Sequence, residues 1–124
     1  MKELTRAEMQ VMQILWNIER GFLKEILEQF SPPKPAPTTV ATILRILVKK
    51  GFVGFEVFGK SHQYRIQIDK EAYAKASLKG FMGMFFNDSP KNLVSFFAEN
   101  NHLSIEDLEE IQVLLNEKIK NHQT

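Results

Sequence analysis

A cluster of side chains between positions 38 and 49 has the composition of a polyanion-binding face. If this segment is helical, at about 100° per residue, Thr38, Ala41, Thr42, Arg45 and Lys49 fall within an arc of about 100°. Hydroxyls, a guanidinium and an ammonium on a face with little bulk can reach phosphates and base edges. Further along, Gly59-Lys60-Ser61-His62 reads as a turn with a basic tip. Catalytic chemistry is poorly served by comparison. No nucleophile is brought next to a base, and no Gly-rich phosphate loop occurs. The acidic run Glu106, Asp107, Glu109 and Glu110 reads as a first-turn match to a helix dipole. No catalytic residue, metal ligand or cofactor is therefore assigned.

Composition narrows the field further. With 124 residues there is room for one ordinary domain, or a very small one with an appendage. The sequence has no cysteine, which removes disulfides, thiolate metal sites and thiol sensing together. His62, His102 and His122 are too scattered to suggest a metal site. No apolar run of about 18 residues appears, and Met1-Lys2-Glu3-Leu4-Thr5 lacks the order of a signal peptide, so a soluble cytoplasmic chain without membrane insertion is expected. The formal net charge is +1, but it is unevenly spread. Residues 31–68 hold Lys34, Arg45, Lys49, Lys50, Lys60 and Arg65 against Glu56 alone, while the flanking segments are slightly and clearly acidic. A localised phosphate-contacting surface would look like this.

The elements that must position these groups follow from periodicity. Thr5-Arg6-Ala7-Glu8 is a capping box, with Leu4 and Met9 placed as a hydrophobic staple. Val11, Met12, Leu15 and Trp16 continue one apolar stripe, giving a first helix from about Arg6 to Ile18 with Trp16 in the core. Gly21 breaks the chain, and Phe22, Leu23, Ile26, Leu27 and Phe30 suggest a short second helix. The proline-rich stretch 31–37 cannot continue it and reads as a stiff connector. Pro37 suits the first position of a third helix, over about 37–50, which Gly51 ends. Its other side carries Val40, Ile43, Leu44 and Leu47. Alternation at Val53, Phe55 and Val57, and again at Tyr64, Ile66 and Ile68, predicts a two-stranded hairpin over about 53–68. Three helices followed by a hairpin, with the charge on the third helix and the hairpin tip, is the winged helix-turn-helix plan.

From Asp69 onward the pattern is helical again. Ser89-Pro90 and Ser104 each start a further helix, and Leu103 and Leu108 form a second staple. Three short, strongly apolar helices are poorly able to bury their faces alone, and a second copy of the chain is the simplest remedy. Tyr73, Phe81, Phe85, Leu93, Phe96, Phe97, Leu108, Ile111 and Leu115 are the residues expected at such an interface. The fold class is thus mainly α with a small β-hairpin: a winged-helix domain over 1–68 and a helical dimerisation region over 69–124.

The chain resembles the BlaI/MecI/CopY penicillinase-repressor family of winged-helix regulators. The resemblance rests on Leu4-Thr5-Arg6-Ala7-Glu8 with Val11-Met12 and Leu15-Trp16, on 39–51 (Thr39-Val40-Ala41-Thr42-Ile43-Leu44-Arg45-Ile46-Leu47-Val48-Lys49-Lys50-Gly51), and on Leu103-Ser104-Ile105-Glu106-Asp107-Leu108-Glu109-Glu110-Ile111. It implies a homodimeric repressor whose third helix reads the major groove of a double-stranded dyad operator. It also implies release through a membrane sensor-peptidase pathway that leads to cleavage in the dimerisation region. Thr39 and Thr42 match the family's motif threonines. Ala41 stands where many relatives have Arg, so that DNA contact is either missing or supplied elsewhere, by Arg45 or Lys60. Ser95-Phe96 stands where cleavable members have Asn-Phe, and the cysteine cluster of copper-responsive members is absent. Two other readings remain open at this point: a winged-helix module that binds protein, and a ligand-sensing regulator of another family.

Overall fold

Thr5 begins the first helix as its sequence requires. In the computed structural model, which describes residues 2–123, α1 spans Arg6–Ile18, with Thr5 Oγ1 accepting from Glu8 N and Glu8 Oε1 accepting from Thr5 N. Glu19 follows in a left-handed conformation (φ 69°) and turns the chain into a short strand, β1, Arg20–Phe22. Gly21 is buried there. An added Cβ would lie 2.9 Å from Ile18 Cδ1, the end of a side chain that can turn aside, so the position is tight without demanding glycine. The sequence expectation of a two-stranded hairpin is extended by this strand. Three residues are too few to display alternation, which is why it was not legible.

Helix α2 covers Leu23–Glu28, its first turn tied by Glu25 Oε1, which accepts from Phe22 N. The Lys34 ammonium, from the proline-rich connector, donates to the carbonyls of Leu27, Glu28 and Phe30, each at 3.0 Å, and so satisfies the orphan end of α2. Pro37 then opens α3, Pro37–Lys50, and Gly51 closes it at φ 86°, with Phe52 N returning to Leu47 O. Strands β2, Val53–Phe58, and β3, Ser61–Ile66, pair antiparallel around Gly59-Lys60, and β1 pairs with β3, giving the order β1-β3-β2. Ser61 and His62, expected in the turn, are the first residues of β3.

The core gathers what periodicity selected: Val11, Met12 and Leu15 of α1, Ile26 of α2, and Val40, Leu44 and Leu47 of α3, with Phe52 and Val53. All are essentially inaccessible to solvent. Trp16 donates from its ring N–H to Ile68 O at 2.9 Å and packs against this core, as its place on the stripe predicts.

The chain divides into two compact units between Leu78 and Lys79. Helix α4, Lys70–Phe86, therefore begins within the first unit. Tyr73 explains why: its hydroxyl accepts from Leu4 N at 3.0 Å, and its ring meets Phe52 and Trp16 at centroid distances of 5.5 and 6.0 Å. Tyr73, grouped by sequence with the interface residues, is thus placed on the core of the winged-helix unit. The domain boundary expected after residue 68 excludes a turn of helix that this core engages.

The second unit contains the rest of α4 with α5, Pro90–Asn100, and α6, Ile105–Gln123. Ser89 caps α5, and Ser104 with Asp107 forms a reciprocal cap on α6. Phe81, Phe85, Phe86 and Phe96 form a chain of ring contacts 5.0–5.5 Å apart. Even so, none of these three helices has a fully buried residue in the single chain.

Candidate nucleic-acid interface

Helix α3 turns its apolar side to the core, which leaves the polar side outward. Thr38, Thr39, Thr42, Arg45 and Lys49 are exposed, and Ala41 is half-buried. The Thr42 hydroxyl donates to Thr38 O at 2.9 Å, a contact within the helix. Its hydrogen is therefore committed, and Thr42 presents a methyl group and an acceptor oxygen outward. Across from this helix, the hairpin carries Lys60, Ser61 and His62, all exposed. The structure thus brings both sets of candidate residues into one unit, all but Ala41 on exposed positions.

The basic middle of the sequence is partly deceptive. Lys34 is occupied as the cap of α2, and Lys50 is drawn inward. Its ammonium meets Glu8 Oε1 at 2.6 Å and also donates to Glu3 O at 3.3 Å. That pair joins the last turn of α3 to the first turn of α1. Arg45, Lys49, Lys60 and Arg65 remain, with no intramolecular ion pair among the described residues. Charge counting could not separate the two groups, because it does not see contacts: Lys34 is held within seven positions of itself and Lys50 by a residue 42 positions away.

Sequence reasoning did not single out Phe55 and Tyr64 as site residues. The register Phe55↔Tyr64 and Val57↔His62 puts all four on one side of the sheet. Phe55 and His62 are stacked, with centroids 4.4 Å apart and planes 7° from parallel, and Tyr64 lies 6.2 and 6.1 Å from the two rings. Between these rings and α3 lies a cleft of about 240 Å³ lined by Ala41, Arg45, Val48, Phe55, His62 and Tyr64. Strand alternation was visible in the sequence, but only the register shows which rings meet.

Of the expected interface residues in the second unit, Phe81, Phe85, Phe96, Phe97, Leu108 and Leu115 are exposed, and Leu93 and Ile111 half-buried. Among the described residues no cluster of His, Asp or Glu is arranged to hold a metal ion, and no helix is long and apolar enough to cross a membrane.

Known proteins resemble this chain in sequence and in fold. The family model described as Penicillinase repressor matches residues 4–117. The penicillinase repressor of Bacillus licheniformis is 28% identical over 116 residues, which cover 93% of this chain and 91% of that protein. The methicillin resistance regulatory protein MecI of Staphylococcus aureus (strain N315) is 29% identical over 117 residues, covering 94% and 95%. Among solved structures, the solution structure of the DNA binding domain of the repressor BlaI matches with a TM-score of 0.50 and 28% identity, covering 59% of this chain and 94% of that one.

Proposed function

The chain belongs to the penicillinase repressor family, and from that premise we propose that it is a DNA-binding transcriptional repressor acting as a homodimer on a dyad operator. The observation that carries the reading is the outward face of α3, where Thr38, Thr39, Thr42, Arg45 and Lys49 are exposed together. In this reading α3 enters the major groove, Thr42 and Arg45 meet base edges, and Lys49 and Lys60 meet phosphates. The exposed apolar residues of α4, α5 and α6 give the second copy its surface, since Phe85, Phe96 and Leu115 are each about half or more exposed in the single chain (64%, 53% and 49%).

Such a repressor works in the cytoplasm and has no catalytic role. A membrane sensor-peptidase pathway is the partner that the resemblance implies, and Ser95-Phe96 in α5 argues for release without cleavage at that point. The deciding experiment is titration of the full chain against the dyad in the intergenic DNA upstream of its own gene, a half-site and a scrambled duplex at several salt concentrations. Tight binding to the dyad alone, with a steep salt dependence, supports the proposal; equal binding to all three duplexes overturns it.

A further inference from the structure

The cleft between α3 and the hairpin contains three polar side chains that have no hydrogen-bond or ion-pair partner within the chain among the described residues: the Arg45 guanidinium, the His62 imidazole and the Tyr64 hydroxyl. One wall is aromatic, built from Phe55 and His62, which stack face to face on one another, with Tyr64 inclined beside them. The opposite wall is Ala41 and Val48 of α3. No carboxylate lines the cleft. Glu56 adjoins Phe55 in sequence, but neighbouring strand residues project to opposite faces, and Glu56 is in register with Gln63 on the other side.

The geometry points to a binding site for a small planar aromatic anion, an aromatic carboxylate of the benzoate class, held between α3 and the hairpin. Charge sets the sign of the ligand, because Arg45 is the fixed cation of the lining and no acid balances it. The rings set its kind, since the face of an aromatic ligand gains from edge-to-face contact with Phe55, His62 and Tyr64. A phosphodiester would use Arg45 and leave this aromatic wall without a counterpart. Volume sets the size: about 240 Å³ falls below the roughly 300 Å³ at which sites for drug-sized ligands begin. Ligand and operator would both require Arg45, so occupation of the cleft would release DNA. That consequence rests on the repressor reading; the site itself does not.

The test uses the full-length chain and benzoate, with cyclohexanecarboxylate as a non-planar control of equal charge. Benzoate is expected to give saturable NMR shifts at Phe55, His62 and Tyr64, with cyclohexanecarboxylate binding about fivefold or more weakly. Arg45→Gln should weaken benzoate binding by about tenfold or more. Arg45 is exposed, and an unchanged amide spectrum elsewhere verifies the fold of the variant. Absence of saturable shifts, equal binding of the two acids, or undiminished binding by R45Q overturns the inference. If benzoate binds but leaves operator affinity unchanged, the site stands and its role in release falls. If benzoate binds while no duplex does, the repressor reading fails and this site does not.

Discussion

The Lys50 ammonium lies 2.6 Å from Glu8 Oε1 and ties the end of the proposed recognition helix to the beginning of α1. Glu8 is almost fully buried, and the same oxygen closes the capping box of α1. One carboxylate thereby fixes both the start of the first helix and the position of the third. Burial, the largest influence on Glu8, opposes its charge. The hydrogen bonds from Lys50 and the Thr5 N–H, together with the Lys50 charge, outweigh it and hold the carboxyl below its ordinary value.

The Glu8–Lys50 pair therefore has a defined effect on stability. Glu8→Gln or Lys50→Ala should destabilise the fold by about 2–3 kcal/mol near neutral pH, by leaving a mostly buried partner unmatched. Because the folded-state pKa is depressed, this contribution is present above the unfolded-state value and lost as pH falls through the folded one. Urea denaturation across acid pH should show the wild-type advantage over E8Q shrinking; a constant difference would show that the carboxylate charge is not the cause.

The two kinds of cation should separate in DNA binding. Lys49→Ala and Lys60→Ala should each reduce the salt slope by about one unit on every sequence. Lys34→Met should leave that slope unchanged and instead cost about 1 kcal/mol in stability through loss of the α2 cap. A reduced slope in the Lys34 variant would place that ammonium on DNA after all.

Thr42 offers a methyl and an acceptor oxygen. Thr42→Ala should weaken operator binding by about 1–3 kcal/mol while sparing random duplexes. Competition titration measures both, and an equal loss on the two would mean that Thr42 contacts the backbone alone.

Tyr73 determines where the chain can be shortened. A chain ending at Leu78 retains the Tyr73 contacts and should fold as a monomer, with operator affinity reduced by roughly 10²–10⁴ through loss of the second half-site. One ending at Asp69 loses those contacts and should be less stable by about 2–3 kcal/mol. Leu115→Glu at full length should give monomers by sedimentation. A shortened chain that binds the full site as tightly as the intact one would remove α4–α6 from the dimer interface.

Ser95 supplies a cellular test. With Ser95-Phe96 in place of a cleavable pair, the full-length protein should persist in cells exposed to a β-lactam. Immunoblotting reads the outcome, and a stable fragment ending near Ser95 would contradict it.

What the sequence determined by itself is local. The capping box at Thr5, the helix start at Ser104, Pro37 and Gly51 at the ends of α3, and the stripe Val11-Met12-Leu15 act through neighbours within a turn or two, so residue order suffices to place them. The outward face of α3 was legible for the same reason. Tertiary structure decided everything that joins distant segments. It withdrew Lys50 from the basic surface, added β1 beside β3, set Tyr73 against Phe52, and stacked Phe55 on His62. Each of these depends on which side chains meet after the chain has closed on its core. Helical and strand periods assign a residue to a face, but they do not say what that face will touch.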